Sequence, residues 1–319
     1  MTETPVDKPV RIFLAISLST FLFALMNLFV KLAAETHPIP QVMFFRNAIG
    51  MIPVIWLILK NRDTSLFRTR NFAGHFVRSF VGFFSMYCIF WSFKMLPLAN
   101  ATAILFSSPL ILTSLSVVLL DEKVGLHRWT AVIIGLAAVL FMLQPASGSS
   151  AEGSLIAMCA AILMAFAMIS IRKLSKTEHS LTIVFYFSTF CTIMSGLWMM
   201  ANWINPSALS LCYLLATGLL GGVAQVFMTY AYAKSPAAYV SAFSYFGIVI
   251  AATLDFIVWG FVPVWQVLVG SPIVIAAGLY IVWREAKKNY KPTALLDPDI
   301  SSPDLPVEGP KQKDADFSI

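Results

Sequence analysis

Apolar residues run along this chain in long, nearly unbroken stretches, not in the alternating or three-and-four patterns of half-buried elements. Ten such stretches recur between Val10 and Trp283, separated by short polar breaks. Each comes close to the roughly 20 residues that an α-helix needs to cross hydrocarbon. The pattern predicts helices over residues 11–34, 40–59, 73–95, 98–120, 127–144, 153–171, 181–203, 208–233, 236–259 and 264–283. Helix breakers fall between them: Pro38 and Pro40, Pro97, Pro145 with Gly148 and Gly153, then Pro206, Pro236 and Pro263. The first run is too long for a signal-peptide core and lacks a small-residue cleavage site, so it is read as a retained helix. A lipid-embedded backbone must satisfy its polar groups internally, and the expected fold is therefore an all-α polytopic membrane protein.

Composition agrees with this class, since 58% of the 319 residues are hydrophobic and 12% are charged, about half the charge of a soluble domain. The formal charge of +6 does not point to nucleic acid, because the cations form no stripe with interleaved aromatics. Sorted onto alternate sides of the ten segments, 19 of the 22 Lys and Arg residues fall on one side. That bias places both termini in the cytoplasm. The exceptions are Lys31, Arg46 and Lys94, all near the opposite ends of their helices. Arg78, entering the third helix, counts with the cytoplasmic set. From Arg284 onward the chain turns basic and then Pro-rich and acidic, a composition expected to stay disordered. Cys88, Cys159, Cys191 and Cys212 all lie in apolar runs at no ligand spacing and read as buried small hydrophobes.

The chain also repeats itself. Lys31-Leu32-Ala33-Ala34-Glu35-Thr36-His37 aligns with Lys173-Leu174-Ser175-Lys176-Thr177-Glu178-His179, and Pro97-Leu98-Ala99-Asn100-Ala101-Thr102-Ala103 with Pro236-Ala237-Ala238-Tyr239-Val240-Ser241-Ala242, at spacings of 142 and 139 residues. The division is then a cytoplasmic N-terminus (1–10), two five-helix halves (11–144 and 153–283) and a tail (284–319). An odd number of helices per half turns the second upside down relative to the first, the inverted-repeat plan of many carriers.

These residues resemble the drug/metabolite transporter superfamily, specifically its EamA-type members with two five-helix repeats, over the chain up to about Trp283. The most specific stretch is Trp91-Ser92-Phe93-Lys94-Met95-Leu96-Pro97-Leu98-Ala99-Asn100-Ala101-Thr102-Ala103 followed by Pro109. Asp121-Glu122-Lys123 sits where the family has Gly-Glu, and Phe44-Phe45-Arg46 matches its arginine on helix two. In the second half Gly260-Phe261 replaces the expected Gly-Glu, which argues against a symmetric glutamate pair. The sequence looks most like the uptake branch that includes bacterial riboflavin and S-adenosylmethionine transporters. That likeness implies secondary uptake of a vitamin or nucleoside-like solute across the cell inner membrane, with export of amino acids or drug-like metabolites as the alternative.

Candidate binding residues are the polar and aromatic groups inside the apolar runs, where each unpaired polar group costs free energy. Asn27, Asn100, Gln225 and Ser244 are expected to offer polar contacts to substrate, and Trp91, Tyr232 and Tyr245 stacking surfaces. Each of the hydroxyls could equally bond back to its own helix, and each ring could simply pack. Arg46 and Asp255 lie at similar depth, roughly 6 to 9 Å inside the outer ends of their helices at 1.5 Å per residue. They either pair across the halves as an outer gate, meet a charged substrate group or proton singly, or reach the interface. Gly218 and Gly222, like Ala157, Ala161 and Ala165, suit close helix packing within one copy or between two, which leaves a homodimer open. The partners expected otherwise are a small-molecule substrate and the bilayer, with no nucleic acid. His37, His75, His127 and His179 fall in loops or at helix ends, and no zinc, serine-hydrolase or phosphate-loop motif is present. The chain is therefore expected to be no enzyme, to hold no metal or cofactor and to use no ATP itself.

Overall fold

The computed structural model describes residues 7–60, 64–119, 126–142, 150–234 and 246–289. Among them the regular elements are all helical: α1 (Asp7–Thr36), α2 (Ile39–Lys60), α3 (Phe72–Met95), α4 (Leu98–Leu105), α5 (Ser108–Leu119), α6 (Leu126–Met142), α7 (Ala151–Leu174), α8 (Ser180–Met199), α9 (Ala208–Lys234), α10 (Phe246–Trp259) and α11 (Trp265–Asn289), with short 3-10 turns at Thr64–Phe67 and Met200–Asn202. Six of these, α1, α2, α3, α7, α8 and α9, are long and apolar enough to cross a membrane, and the apolar stretches of the others are shorter, that of α11 being Trp265–Tyr280.

Three departures from the sequence pattern have local causes. The helix expected over 98–120 is two helices, because Pro109 has no N–H to give and its ring crowds the carbonyl of Leu105 one turn back. At the break the Phe106 N–H returns to the Thr102 carbonyl at 3.0 Å and the Ser107 N–H to Ile104 at 3.0 Å. The last helix does not stop at 283 but runs to Asn289, since Arg284-Glu285-Ala286-Lys287-Lys288 are good helix formers. The tail expected to be disordered thus begins helical, and its remainder lies outside the described residues. The first helix likewise starts at Asp7, ahead of the expected 11.

Caps hold the ends. The Asn71 side chain accepts from the Gly74 N–H at 3.0 Å to start α3, and Ser150 accepts from Gly153 at 3.1 Å to start α7. Gly260, at φ +64°, ends α10, and its own N–H and that of Phe261 fold back onto the Phe256 and Asp255 carbonyls at 2.9 and 3.3 Å.

Packing links the halves in a reciprocal scheme. The principal cross-half partners are α1 with α9, α3 with α7, α2 with both α9 and α8, and α6 with α11, with α4 against α10. Apart from α2 with α9, which has a weaker counterpart in α3 with α8, first packs on third, third on first, and second, fourth and fifth on their counterparts, the exchange that a two-fold relation between halves requires. The α2–α9 approach is backbone to backbone: a Cβ on Gly50 would sit 3.1 Å from the Gly218 carbonyl oxygen and 3.2 Å from the Gly222 Cα. The glycine spacing of α9 is thus used inside the chain, against Gly50. Ala157, Ala160 and Ala161 of α7 are fully buried, and the Ala160 carbonyl accepts from Ser85 on α3 at 3.3 Å. The interior is filled by Met26, Phe83, Phe90, Phe93, Leu98, Ile104 and Leu110. The perimeter is apolar as well, with Ile52, Trp56, Ile133, Leu197, Phe256 and Ile257 exposed, as a lipid-facing surface demands. Cys191 is buried, but Cys159 and Cys212 are exposed on this perimeter, so apolar runs here mark contact with lipid as often as burial in protein.

Candidate functional site

The body of the chain holds two arginines that sequence position alone would assign to opposite helix ends. Arg46 on α2 and Arg78 on α3 are each only 5% exposed. Arg46 donates from Nη2 to Gln225 Oε1 on α9 at 2.9 Å and from Nη1 to Asn47 Oδ1 at 2.9 Å. Both amides are turned oxygen-first by their own anchors: Asn47 Nδ2 donates to the Met43 carbonyl at 2.7 Å, and Gln225 Nε2 to Thr229 Oγ1 at 3.4 Å. Phe187 of α8 stands beside both cations, its ring centre 4.2 Å from Arg78 Cζ and 6.0 Å from Arg46 Cζ. Arg46 Nε, Arg78 Nε and Arg78 Nη1 are buried with no acceptor.

A second polar cluster joins the halves where α1, α3 and α10 end. Asp255 is fully buried and accepts from the Ala99 backbone N–H at 2.7 Å, at the start of α4. Lys31 Nζ lies 3.7 Å from its other oxygen, donates to the Leu96 carbonyl at 3.0 Å and sits 4.7 Å from the Trp259 ring centre. At the same end Gln41 makes a two-way contact with Ile204, donating to its carbonyl at 2.7 Å and accepting from its N–H at 3.1 Å. The opposite end is also bridged. Glu178 accepts from Thr69 Oγ1 at 2.7 Å and lies 3.8 Å from His75, while Thr182 and Tyr186 donate to the Leu66 and Phe67 carbonyls at 2.9 and 3.1 Å.

Beside the Gln41 end opens a cavity of about 470 Å³, lined by Pro38, Ile39, Pro40, Tyr87, Trp91, Lys94, Met95, Trp198, Met199 and Asn202. Tyr87 stacks on Trp198 at 4.8 Å and 22°, and Trp91 meets Tyr87 edge-on at 5.3 Å. That size and lining suit a small planar solute. Around the α4–α5 break the side-chain oxygens of Asn100, Thr102, Ser107 and Ser108 are buried without a hydrogen-bond partner, capacity that a broken helix leaves toward whatever packs there.

The structure therefore separates the expected residues. Gln225 and Arg46 are brought together, and Trp91 reaches the aromatic cavity. Asn100 sits at the broken helix, and Asn27 is half-buried on α1. Ser244 and Tyr245 lie outside the described residues, as does the side chain of Tyr232. Arg46 and Asp255 do not pair with each other: Lys31, one turn from the end of α1, is nearer to Asp255, and two amides take the guanidinium of Arg46. Sequence reasoning passed over Arg78, which it counted with the cytoplasmic set, and Lys31, which it set aside as an exception to the charge bias near a helix end. Their position inside predicted helices was the available signal. Among the described residues no three His, Cys, Asp or Glu side chains gather as a metal site.

Known proteins place the chain firmly. The EamA-like transporter family matches it twice, over residues 10–144 and 151–284. It is 30% identical to a pseudopaline exporter of Pseudomonas aeruginosa, over 82% of this chain and 92% of that one. It is 26% identical to a riboflavin transporter of Vibrio cholerae, over 84% and 92%, and 27% identical to an S-adenosylmethionine uptake transporter of Rickettsia prowazekii, over 77% and 84%. A crystal structure of a protein superposes on 86% of this chain and 98% of its own with a TM-score of 0.63 at 18% identity, a likeness of fold alone. Two family matches, multiple membrane-length helices and relatives named as transporters make this chain a multi-pass membrane protein that belongs to the EamA-like transporter family.

Proposed function

We propose that the chain is a secondary carrier that moves a small organic solute by alternating access, through ten spans in two inverted five-span halves with both termini in the cytoplasm of a cell whose inner membrane holds it. The observation that carries this reading is the distribution of polar contacts between the halves. They cluster at two opposite ends, Lys31–Asp255 and Gln41–Ile204 at one, Thr69–Glu178 and Tyr186–Phe67 at the other, around a buried basic centre. A body held this way opens one end by releasing one set while the other set keeps the halves together, which is rocking about a fixed midplane site. The solute we favour is a vitamin or nucleoside-like compound such as riboflavin or S-adenosylmethionine, taken up. Similarity to transporters of both supports this choice, as does the aromatic cavity at Tyr87, Trp91 and Trp198. Export is the second reading, favoured by the 30% identity to the pseudopaline exporter.

Purified protein in liposomes, given labelled riboflavin, S-adenosylmethionine or an aromatic amino acid with and without a pH gradient, tests this. Saturable accumulation of one of the first two above empty vesicles is expected. Efflux from preloaded vesicles without uptake selects the export reading, and no flux of any compound in either direction rejects the choice of substrate.

A further inference from the structure

We propose that Arg46 and Arg78 together form a binding site for an oxyanion, a carboxylate or phosphate carried by the transported solute. The identity of the solute rests on the carrier reading; the binding of an anion rests on the geometry of the two guanidinium groups.

Both cations are 95% withdrawn from solvent, and a buried charge is costly unless it is paired. Their protein partners are neutral. Arg46 has two amide oxygens, and Arg78 has the face of Phe187. Through that shared ring the two guanidinium carbons lie at most about 10 Å apart. Among the described residues the two carboxylates that bridge the halves are committed elsewhere: Asp255 to Lys31 and the Ala99 N–H, and Glu178 to Thr69 and the neighbourhood of His75. Cys191, fully buried on the next turn of α8 from Phe187, offers only a weak acceptor. Among the described residues, two positive charges are thus left beside one ring with no carboxylate in ion-pair distance of either.

The backbone is pared away where these groups lie. A Cβ on Gly82 would collide with Arg78 Nη1 and stand 2.8 Å from the Phe187 ring, and one on Gly221 would stand 2.6 Å from Met26 Sδ and 3.2 Å from Arg46 Nε. Glycine at both positions makes room for the guanidinium groups, Gly82 for Arg78 against its own α3 and Gly221 of α9 for Arg46 reaching across from α2. Three nitrogens, Arg46 Nε, Arg78 Nε and Arg78 Nη1, lack an acceptor. Planar forks of fixed N–H donors match the oxygens of carboxylate or phosphate, which accept several such bonds at once. Lys31 and Asp255 show the contrast, since there the positive charge already has its carboxylate.

The test uses the full chain purified in a phospholipid-free detergent, with thermal unfolding followed while inorganic phosphate or succinate is added, against chloride at matched ionic strength. The wild type is expected to show a saturable rise in Tm with phosphate, succinate or both, and none with chloride. Arg46→Gln and Arg78→Gln should each weaken that apparent affinity by roughly tenfold or more. Arg46→Lys and Arg78→Lys keep the charge and stand in if a glutamine variant does not fold; they should bind with intermediate affinity. No saturable rise in the wild type, or the same rise in every variant, overturns the proposal. So does stabilisation by phosphatidylglycerol that neither anion displaces, which would make this a lipid site. Solute flux in liposomes together with no anion binding would remove this inference and leave the carrier reading, whereas anion binding without flux would do the reverse.

Discussion

Two charged clusters in this molecule are buried to a similar degree yet are built in opposite ways. At the Lys31–Asp255 cluster one carboxylate oxygen accepts from a backbone N–H at the start of α4 and the other faces the Lys31 ammonium at 3.7 Å without a hydrogen bond, so the charge is matched within the chain. At the Arg46–Arg78 centre the cations meet amides and a phenyl ring, and three N–H nitrogens stay unmet. The first cluster is a fastener: its energy is spent in joining α1, α4 and α10. The second holds its interaction capacity in reserve, at a standing cost in desolvation that folding alone does not explain. Buried charge by itself therefore does not separate structure from function in this chain; what separates them is whether the charge is matched.

Four experiments break or sharpen that contrast. The largest effect is expected for Asp255→Ala, which strands a largely buried Lys31 and should cost about 3 to 5 kcal/mol of stability in detergent unfolding. Adding Lys31→Met should recover part of that loss, but not all of it, because the Ala99 N–H still lacks its acceptor. At the basic centre the sign should change. Arg78→Met is expected to leave stability unchanged or raise it by about 1 kcal/mol, while liposome flux falls by an order of magnitude or more; a drop in stability matching that of Asp255→Ala would erase the distinction. Gln41→Ala removes both links to Ile204 and should cost about 1 to 2 kcal/mol, with loss of rigidity confined to that end, readable by hydrogen exchange at α2 and the 200–207 connection. The smallest effect is expected for Trp91→Ala at the half-open aromatic cavity. Stability should hold, and the KM of an aromatic solute should rise about three- to tenfold with the maximal rate little changed.

Legibility in the sequence followed the kind of force involved. Helix positions were readable because burial in hydrocarbon needs nothing but a long apolar run, and the breakers at Pro38, Pro97 and Pro206 marked its ends. The internal break seen among the described residues, at Pro109, was also written in the residues, but an apolar tract of 23 residues concealed it. Gln225 was expected to contact substrate as an amide too costly to leave unpaired in a helix interior, and its partner in the structure is Arg46 of this chain. A pairing of Asp255 with Arg46 was one of the alternatives that their similar depth left open. Depth along two helices does not fix the rotation of either about its axis, and that rotation turns Asp255 toward Lys31 and Arg46 toward Gln225. Arg78 was hidden by a rule that holds for most of its neighbours. Lys and Arg near a helix end usually reach water, and the reason this one does not, its place against Phe187 with Gly82 making room, exists only once α3 and α8 are packed.

The amino-acid sequence by itself determined the class, the apolar segments, the two related halves and the pool of polar groups inside them. Each of these follows from transfer free energy and periodicity, which act residue by residue. Tertiary structure alone decided which charges are matched, that the Gly218 and Gly222 surface is spent on Gly50, and that two arginines from different helices share one ring. Such facts depend on distances of a few ångströms between segments more than a hundred residues apart, and no local pattern carries them.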